Sequence, residues 1–211
     1  MNKKLEKEIV CSYKAGDWFD RIPLEHLCDS GITAINVDRR FGKSTFIAHA
    51  VKKILTQNMA DSVIVECGDR NRVNLMKAVF REVFGDNFEK QYPQIDIRPH
   101  GDRILSGMSK RRTAIFIDEF PYTATNDDIH EILKSKFISD AQTWILLGTS
   151  YETSHKLENK NPFAGFLEMP FVRTYEVVGR IPEEYLAYYG DEEQQVIKKR
   201  QEAFRIQCFT F

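Results

Sequence analysis

Short unbroken apolar runs alternate along this chain with longer stretches in which apolar residues recur every three or four positions. The runs are Ile32–Val37 (ITAINV), Asp61–Cys67 (DSVIVEC), Ala114–Phe120 (AIFIDEF) and Thr143–Ser150 (TWILLGTS), all of strand length and most rich in β-branched or aromatic residues. After the first run, Phe46, Ile47, Ala50, Val51, Ile54 and Leu55 fall on one helical stripe; after the second, Val73, Met76, Val79, Phe80, Val83 and Phe84 do the same, and Gly85 closes that helix. Strands that are apolar on both faces and alternate with amphipathic helices predict an α/β fold, a mainly parallel central sheet flanked by helices.

The weaker stretches complete the plan. Residues 1–31 read as an N-terminal cap, 32–150 as the core, and 151–211 as a loop, a strand at VRTYEVV (172–178) and a helix over Pro182–Phe204 interrupted near Gly190. Ile95–Leu105 (IDIRPHGDRIL) reads as a hairpin turning around His100, Gly101 and Asp102. Lys110, Arg111 and Arg112 precede the AIFI strand and belong to its far end. In the cap, Trp18 and Phe19 are candidates to stack on an adenine, or else core aromatics of an N-terminal helix that covers the sheet edge. No repeat or linker divides the chain, so a single domain is expected.

Chemistry enters at the ends of two strands. Val37–Ser44 (VDRRFGKS) matches the phosphate-loop pattern G-x-x-x-x-G-K-[ST] except that Val37 replaces the first glycine. Strand, loop and helix follow one another as that pattern requires. Val37, Asp38, Arg39, Arg40, Phe41, Gly42, Lys43, Ser44 and Thr45 are therefore the expected ATP-binding segment. Gly42 permits the sharp turn, backbone N–H groups at the helix start face the phosphates, Lys43 supplies a point charge, and Ser44 ligates Mg²⁺. The AIFI strand ends in Asp118 and Glu119, at the edge where open α/β sheets bind ligands. Asp118 is the second expected Mg²⁺ ligand, and Glu119 is the expected catalytic base for the attacking water. A solvated acidic turn would use the same two residues. The Asp69–Arg72 turn reads as a solvated charged loop, with nucleic-acid contact as the alternative.

Charge and cysteines narrow the classes. With 30 Lys and Arg against 31 Asp and Glu the net charge is −1, so no overall basic field draws nucleic acid and any such binding needs a local patch. Cys11, Cys28, Cys67 and Cys208 lack metal-ligand spacing and sit in apolar surroundings, which predicts reduced thiols, no zinc and a cytoplasmic protein. No apolar run is long enough to cross a membrane.

RRFGKS, FIDEF and LLGTS together resemble the ATPase domain of viral DNA-packaging motors: the large terminase subunits of tailed phages and their smaller packaging-ATPase relatives. The resemblance runs over roughly Ile32–Val178, and NPF at 161–163 resembles an NPY-type segment of the smaller ATPases. It implies a RecA-like P-loop NTPase of the additional-strand catalytic-glutamate class, in which Thr149 or Ser150 senses the γ-phosphate. It also implies ATP and Mg²⁺ as cofactors, double-stranded DNA as partner, a homo-oligomer seated on a portal or other protein, and the host cytoplasm as location. Arg39 or Arg40 would act on the γ-phosphate in cis, or bind only phosphate or backbone; Arg173 and Arg180 are the candidates to act across a subunit edge. Val37 departs from the glycine pattern, and no nuclease domain is expected after residue 211. The alternative is a regulatory or helicase-like accessory ATPase without translocation. A phosphotransferase with an arginine-rich lid fits less well, because 151–171 carries lysines only.

Overall fold

Both faces of the central strands are buried, which is what their unbroken apolar runs demand. The structure, a computed structural model, describes residues 7–11, 18–29, 31–37, 41–100, 112–120, 142–149 and 169–179, with some helical residues between 127 and 134 and between 186 and 198. Among the described residues seven strands form one sheet: β1 (Lys7–Cys11), β2 (Ile32–Val37), β3 (Ser62–Cys67), β4 (Ile95–Pro99), β5 (Thr113–Ile117), β6 (Gln142–Thr149) and β7 (Val172–Gly179). Their order is β1-β7-β2-β6-β5-β3-β4, and every pairing is parallel. Helices α1 (Lys43–Thr56) and α2 (Arg70–Phe84), with the short α3 (Phe88–Gln91), supply crossovers between parallel strands.

Side-chain alternation divides the core into two layers. Ile35, Val37, Val63, Val65, Phe116, Ile145 and Leu147 face α1 and α2, meeting Phe46, Val51, Ile54, Met76 and Phe80. Ile32, Ala34, Ile115, Ile117, Trp144 and Leu146 face the other way, toward Phe120, Ile129 and Ile132. The parallel α/β expectation is met, and the observed sheet agrees with a RecA-like plan. Strand β6 lies between β2 and β5, so the strand leading into the P-loop segment and the strand leading into Asp118 are separated by one strand.

Two expectations change. The first arm of the expected hairpin, β4, is an edge strand that pairs in parallel with β3, because the crossover through α2 and α3 brings it back in the same direction. Its half-exposed alternation is that of a sheet edge; the proposed turn from Gly101 and the return arm lie outside the described residues. Among its described residues the cap forms no α-helix. Its residues 7–11 form β1, alongside β7, and 3₁₀ turns at Phe19–Arg21 and Leu24–Leu27 lead into β2. Pro23, which has no N–H to donate, separates the two turns. Among the described residues no helix is long and apolar enough to cross a membrane.

Candidate phosphate-binding and hydrolytic site

At the carboxyl edge of the sheet, Gly42 adopts the left-handed conformation (φ 79°, ψ 31°) immediately before α1 begins at Lys43. Glycine takes that conformation at little cost. Among the described residues no side chain caps the helix, and no acidic residue occupies its first turn. Its leading N–H groups therefore keep their donor capacity and the positive end of the helix dipole is not neutralised by a capping residue. Ser44 and Thr45 lie in this first turn.

The carboxylates come from the neighbouring strand end. β5 stops at Ile117, and the Asp118 N–H donates to the Glu66 carbonyl of β3 at 2.8 Å. Glu66 is itself buried, its carboxylate accepting from Arg98 and His100 of the β4 end, each at 3.2 Å. Glu119 then turns sharply with φ 56°, a left-handed backbone in a non-glycine residue. That conformation costs about 1–2 kcal/mol and persists where the surroundings demand it.

These local devices bring three functional groups together. Lys43 Nζ lies 3.3 Å from Asp118 Oδ1 and 3.7 Å from Glu119 Oε1. Only 12% of the lysine side chain and 6% of the aspartate are exposed, so the charges face one another in a poorly solvated setting. Lys43 Nζ and Asp118 Oδ1 make no hydrogen bond among the described residues. Buried polar atoms of this kind want partners. An ammonium and a carboxylate oxygen beside an uncapped helix start fit the oxygens of a phosphate chain and the Mg²⁺ that accompanies it.

A fourth side chain reaches the cluster from α2. Arg72 Nη1 contacts Glu119 Oε1 directly. It stands in the first turn of α2, which Asp69 caps by accepting the Arg72 N–H at 2.9 Å. Partial burial opposes its charge, but the Glu119 charge and hydrogen bond outweigh this and hold the guanidinium above its ordinary value. The charged 69–72 turn is solvent-exposed, as expected, but it is the capped first turn of α2 rather than a loop, and Arg72 reaches from it to the site. Beneath it, burial first and then the Asp118 charge push the Cys67 thiol up to about 12.

Of the other residues singled out by sequence, Val37 and Phe41 have buried side chains, so anything they offer a nucleotide comes from their backbone. Asp38, Arg39 and Arg40 lie outside the described residues, as do Ser150 and Arg180. Thr149 ends β6 in register with Val37, which places its backbone beside the strand that feeds the P-loop segment. Arg173 is at the opposite edge of the sheet, near the start of β7, where both guanidinium nitrogens donate to Asp29. It braces the segment that follows the 3₁₀ turns against β7. Arg112 likewise pairs with Asp61 at the far end of β5. Trp18 is fully buried and stacked on Phe46, which removes it as an adenine platform and makes it the core aromatic of the cap.

Fold and site together define a parallel α/β domain with a lysine and two carboxylates gathered at the carboxyl ends of its strands. Among solved structures, the chain is similar to the crystal structure of the HK97 bacteriophage large terminase, with 12% sequence identity and a TM-score of 0.47. The similarity covers 88% of this chain and 46% of that one, so this chain spans less than half of that protein's length. No protein-family model and no curated protein sequence matches it.

Proposed function

We propose that this chain is a Mg²⁺-dependent, ATP-hydrolysing P-loop ATPase of the additional-strand catalytic-glutamate class, serving as a DNA-packaging motor subunit. The observation that carries the ATPase reading is the convergence of Lys43 on Asp118 and Glu119 beside the left-handed Gly42. The position of β6 between β2 and β5 supports the class.

In this reading Lys43 and the first N–H groups of α1 bind the β- and γ-phosphates, and Ser44 with Asp118 holds Mg²⁺, which neutralises phosphate charge when bound. Glu119 takes the proton from the attacking water. Thr149 or Ser150 would report on the γ-phosphate, and Arg39 or Arg40 would add positive charge to it. The packaging role rests on the sequence resemblance, and with it come double-stranded DNA and a homo-oligomer on a portal or other partner protein. The test is MgATP turnover with and without double-stranded DNA across a salt series. Turnover stimulated by DNA, with the stimulation fading as salt rises, is expected. No Mg²⁺-dependent turnover and no ATP binding would remove the ATPase reading; turnover indifferent to DNA at every salt concentration would remove the packaging role.

A second reading, a regulatory or accessory ATPase without translocation, draws on the Arg72–Glu119 contact. A base engaged by a guanidinium is poorly placed to accept a proton, so hydrolysis would wait on an event that withdraws Arg72. An outside partner acting on α2 could supply that event in either reading.

A further inference from the structure

Trp18 precedes the P-loop strand in the chain, yet its indole N–H donates to the Phe41 carbonyl at 2.8 Å. Both residues are buried, Trp18 completely. The indole stacks on Phe46 of α1, with ring centroids 4.5 Å apart and 28° between planes, and meets Phe19 edge-on at 5.0 Å. It is therefore clamped between the cap and the helix that starts at the P-loop. The Phe41–Gly42 peptide is trans, so its carbonyl and the Gly42 N–H point in opposite directions. Drawing the carbonyl toward the buried aromatic layer turns the Gly42 N–H away from that layer.

We propose that Trp18 is a positioning residue for phosphate binding: its N–H sets the Phe41–Gly42 peptide so that the Gly42 N–H faces the phosphate chain. The left-handed Gly42 then hands the chain to Lys43 in a fixed orientation. This inference rests on the nucleotide site proposed above. A backbone donor held in place before the ligand arrives spares the ordering cost that a free peptide would incur on binding.

The test is a titration with a fluorescent ADP analogue in the presence of Mg²⁺, using the full chain. Trp18→Phe keeps an aromatic ring in the layer but deletes the N–H together with part of the indole's volume; Trp144→Phe, the same truncation on the opposite face of the sheet, is the control for lost volume. We expect Trp18→Phe to raise Kd about tenfold, the scale of one hydrogen bond, at unchanged stoichiometry. A variant that was merely less stable would instead bind fewer equivalents at the wild-type Kd. Trp18→Phe binding as tightly as wild type, while Lys43→Ala does not bind, overturns the positioning role and leaves the nucleotide site standing. Absence of binding by the wild type overturns the site and this inference with it. Should Trp18→Phe not fold, the Trp144→Phe protein retains Trp18 as the single tryptophan of the chain. Because the indole is seated before the ligand arrives, its emission should stay constant while unlabelled MgADP saturates the site; an emission shift that saturates at the Kd of the titration would show that Trp18 moves on binding and overturns the proposal.

Discussion

Removing the Lys43 ammonium tests the centre of the site, because the structure assigns that charge a part in stability as well as in binding. At an effective dielectric of about 20, an ammonium 3.3 Å from one carboxylate and 3.7 Å from another is attracted by about 5 and about 4.5 kcal/mol. Desolvation of the three groups offsets most of this, and removing one partner of a buried pair costs about 3–5 kcal/mol net. Arg72 still engages Glu119 after the change, so the loss falls mainly on Asp118 and the lower end, about 3 kcal/mol, is expected. For a chain of this size that is a fall of about 6–12 °C in Tm for Lys43→Ala without nucleotide. Adding Asp118→Asn should restore much of it, since the stranded charge is then gone. Thermal unfolding of the two single variants and the double variant gives the coupling directly, and calorimetric titration should show ATP affinity lowered by about a hundredfold or more in Lys43→Ala. A Tm within about 2 °C of wild type, or losses that simply add in the double variant, would refute the buried-pair argument.

Further outcomes follow from the same geometry. Glu119→Gln should preserve ATP affinity and lower turnover by about 10²-fold or more; loss of both together in a binding and turnover assay would make Glu119 a ligand or structural group. Arg72→Ala should raise basal turnover and shrink its stimulation by DNA, whereas reduced turnover at unchanged ATP affinity would place Arg72 in the hydrolytic machinery. The Cys67 thiol is held at about 12 against an ordinary 9.0, so above about pH 9 the unfolded chain gives up a proton that the folded chain retains, and stability falls as pH rises toward 12. Below that range the thiol contributes no slope. Cys67→Ala should flatten the decline of Tm above about pH 9, and parallel declines in both proteins would show that the thiol titrates freely.

Much of the fold was legible because it rests on local pattern. The ITAINV and AIFI runs bury every residue, as strands covered on both sides must, and the stripe from Phe46 to Ile54 is the buried face of α1. The site's core was legible for a related reason: Gly42 and Lys43 sit at one strand-to-helix junction, while Asp118 and Glu119 end another strand, and parallel strands carry all such ends to one edge. The cap and the hairpin were not. KEIVC becomes a strand through pairing with β7, whose residues lie more than 150 positions away, and its own five residues hold no signal for that partner. IDIRP shows the alternation of an exposed edge, which an antiparallel arm shows equally.

Arg72 was missed for a different reason, and it was not beyond reach. Judged by its neighbours, the 69–72 turn is a cluster of charges before a helix, and such clusters are usually solvated. Its meaning comes from strand order. β3 lies directly beside β5, with Glu66 opposite Ile117, so the residues that follow Cys67 border those that follow Ile117. Asp69 ends that crossing by capping α2, and the cap fixes where the first turn of the helix begins. Arg72, in that turn, is brought within reach of Glu119 across 47 positions of sequence. The left-handed backbone at Glu119 supplies the other half of the contact by turning its carboxylate out of the strand direction. Once a strand is placed between the P-loop strand and the Asp118 strand, the strand on the far side of the latter must deliver its following turn to the same carboxylates. A charged residue at that turn then has a specific partner, and the polar character that made the segment read as a surface loop is what the site requires of it.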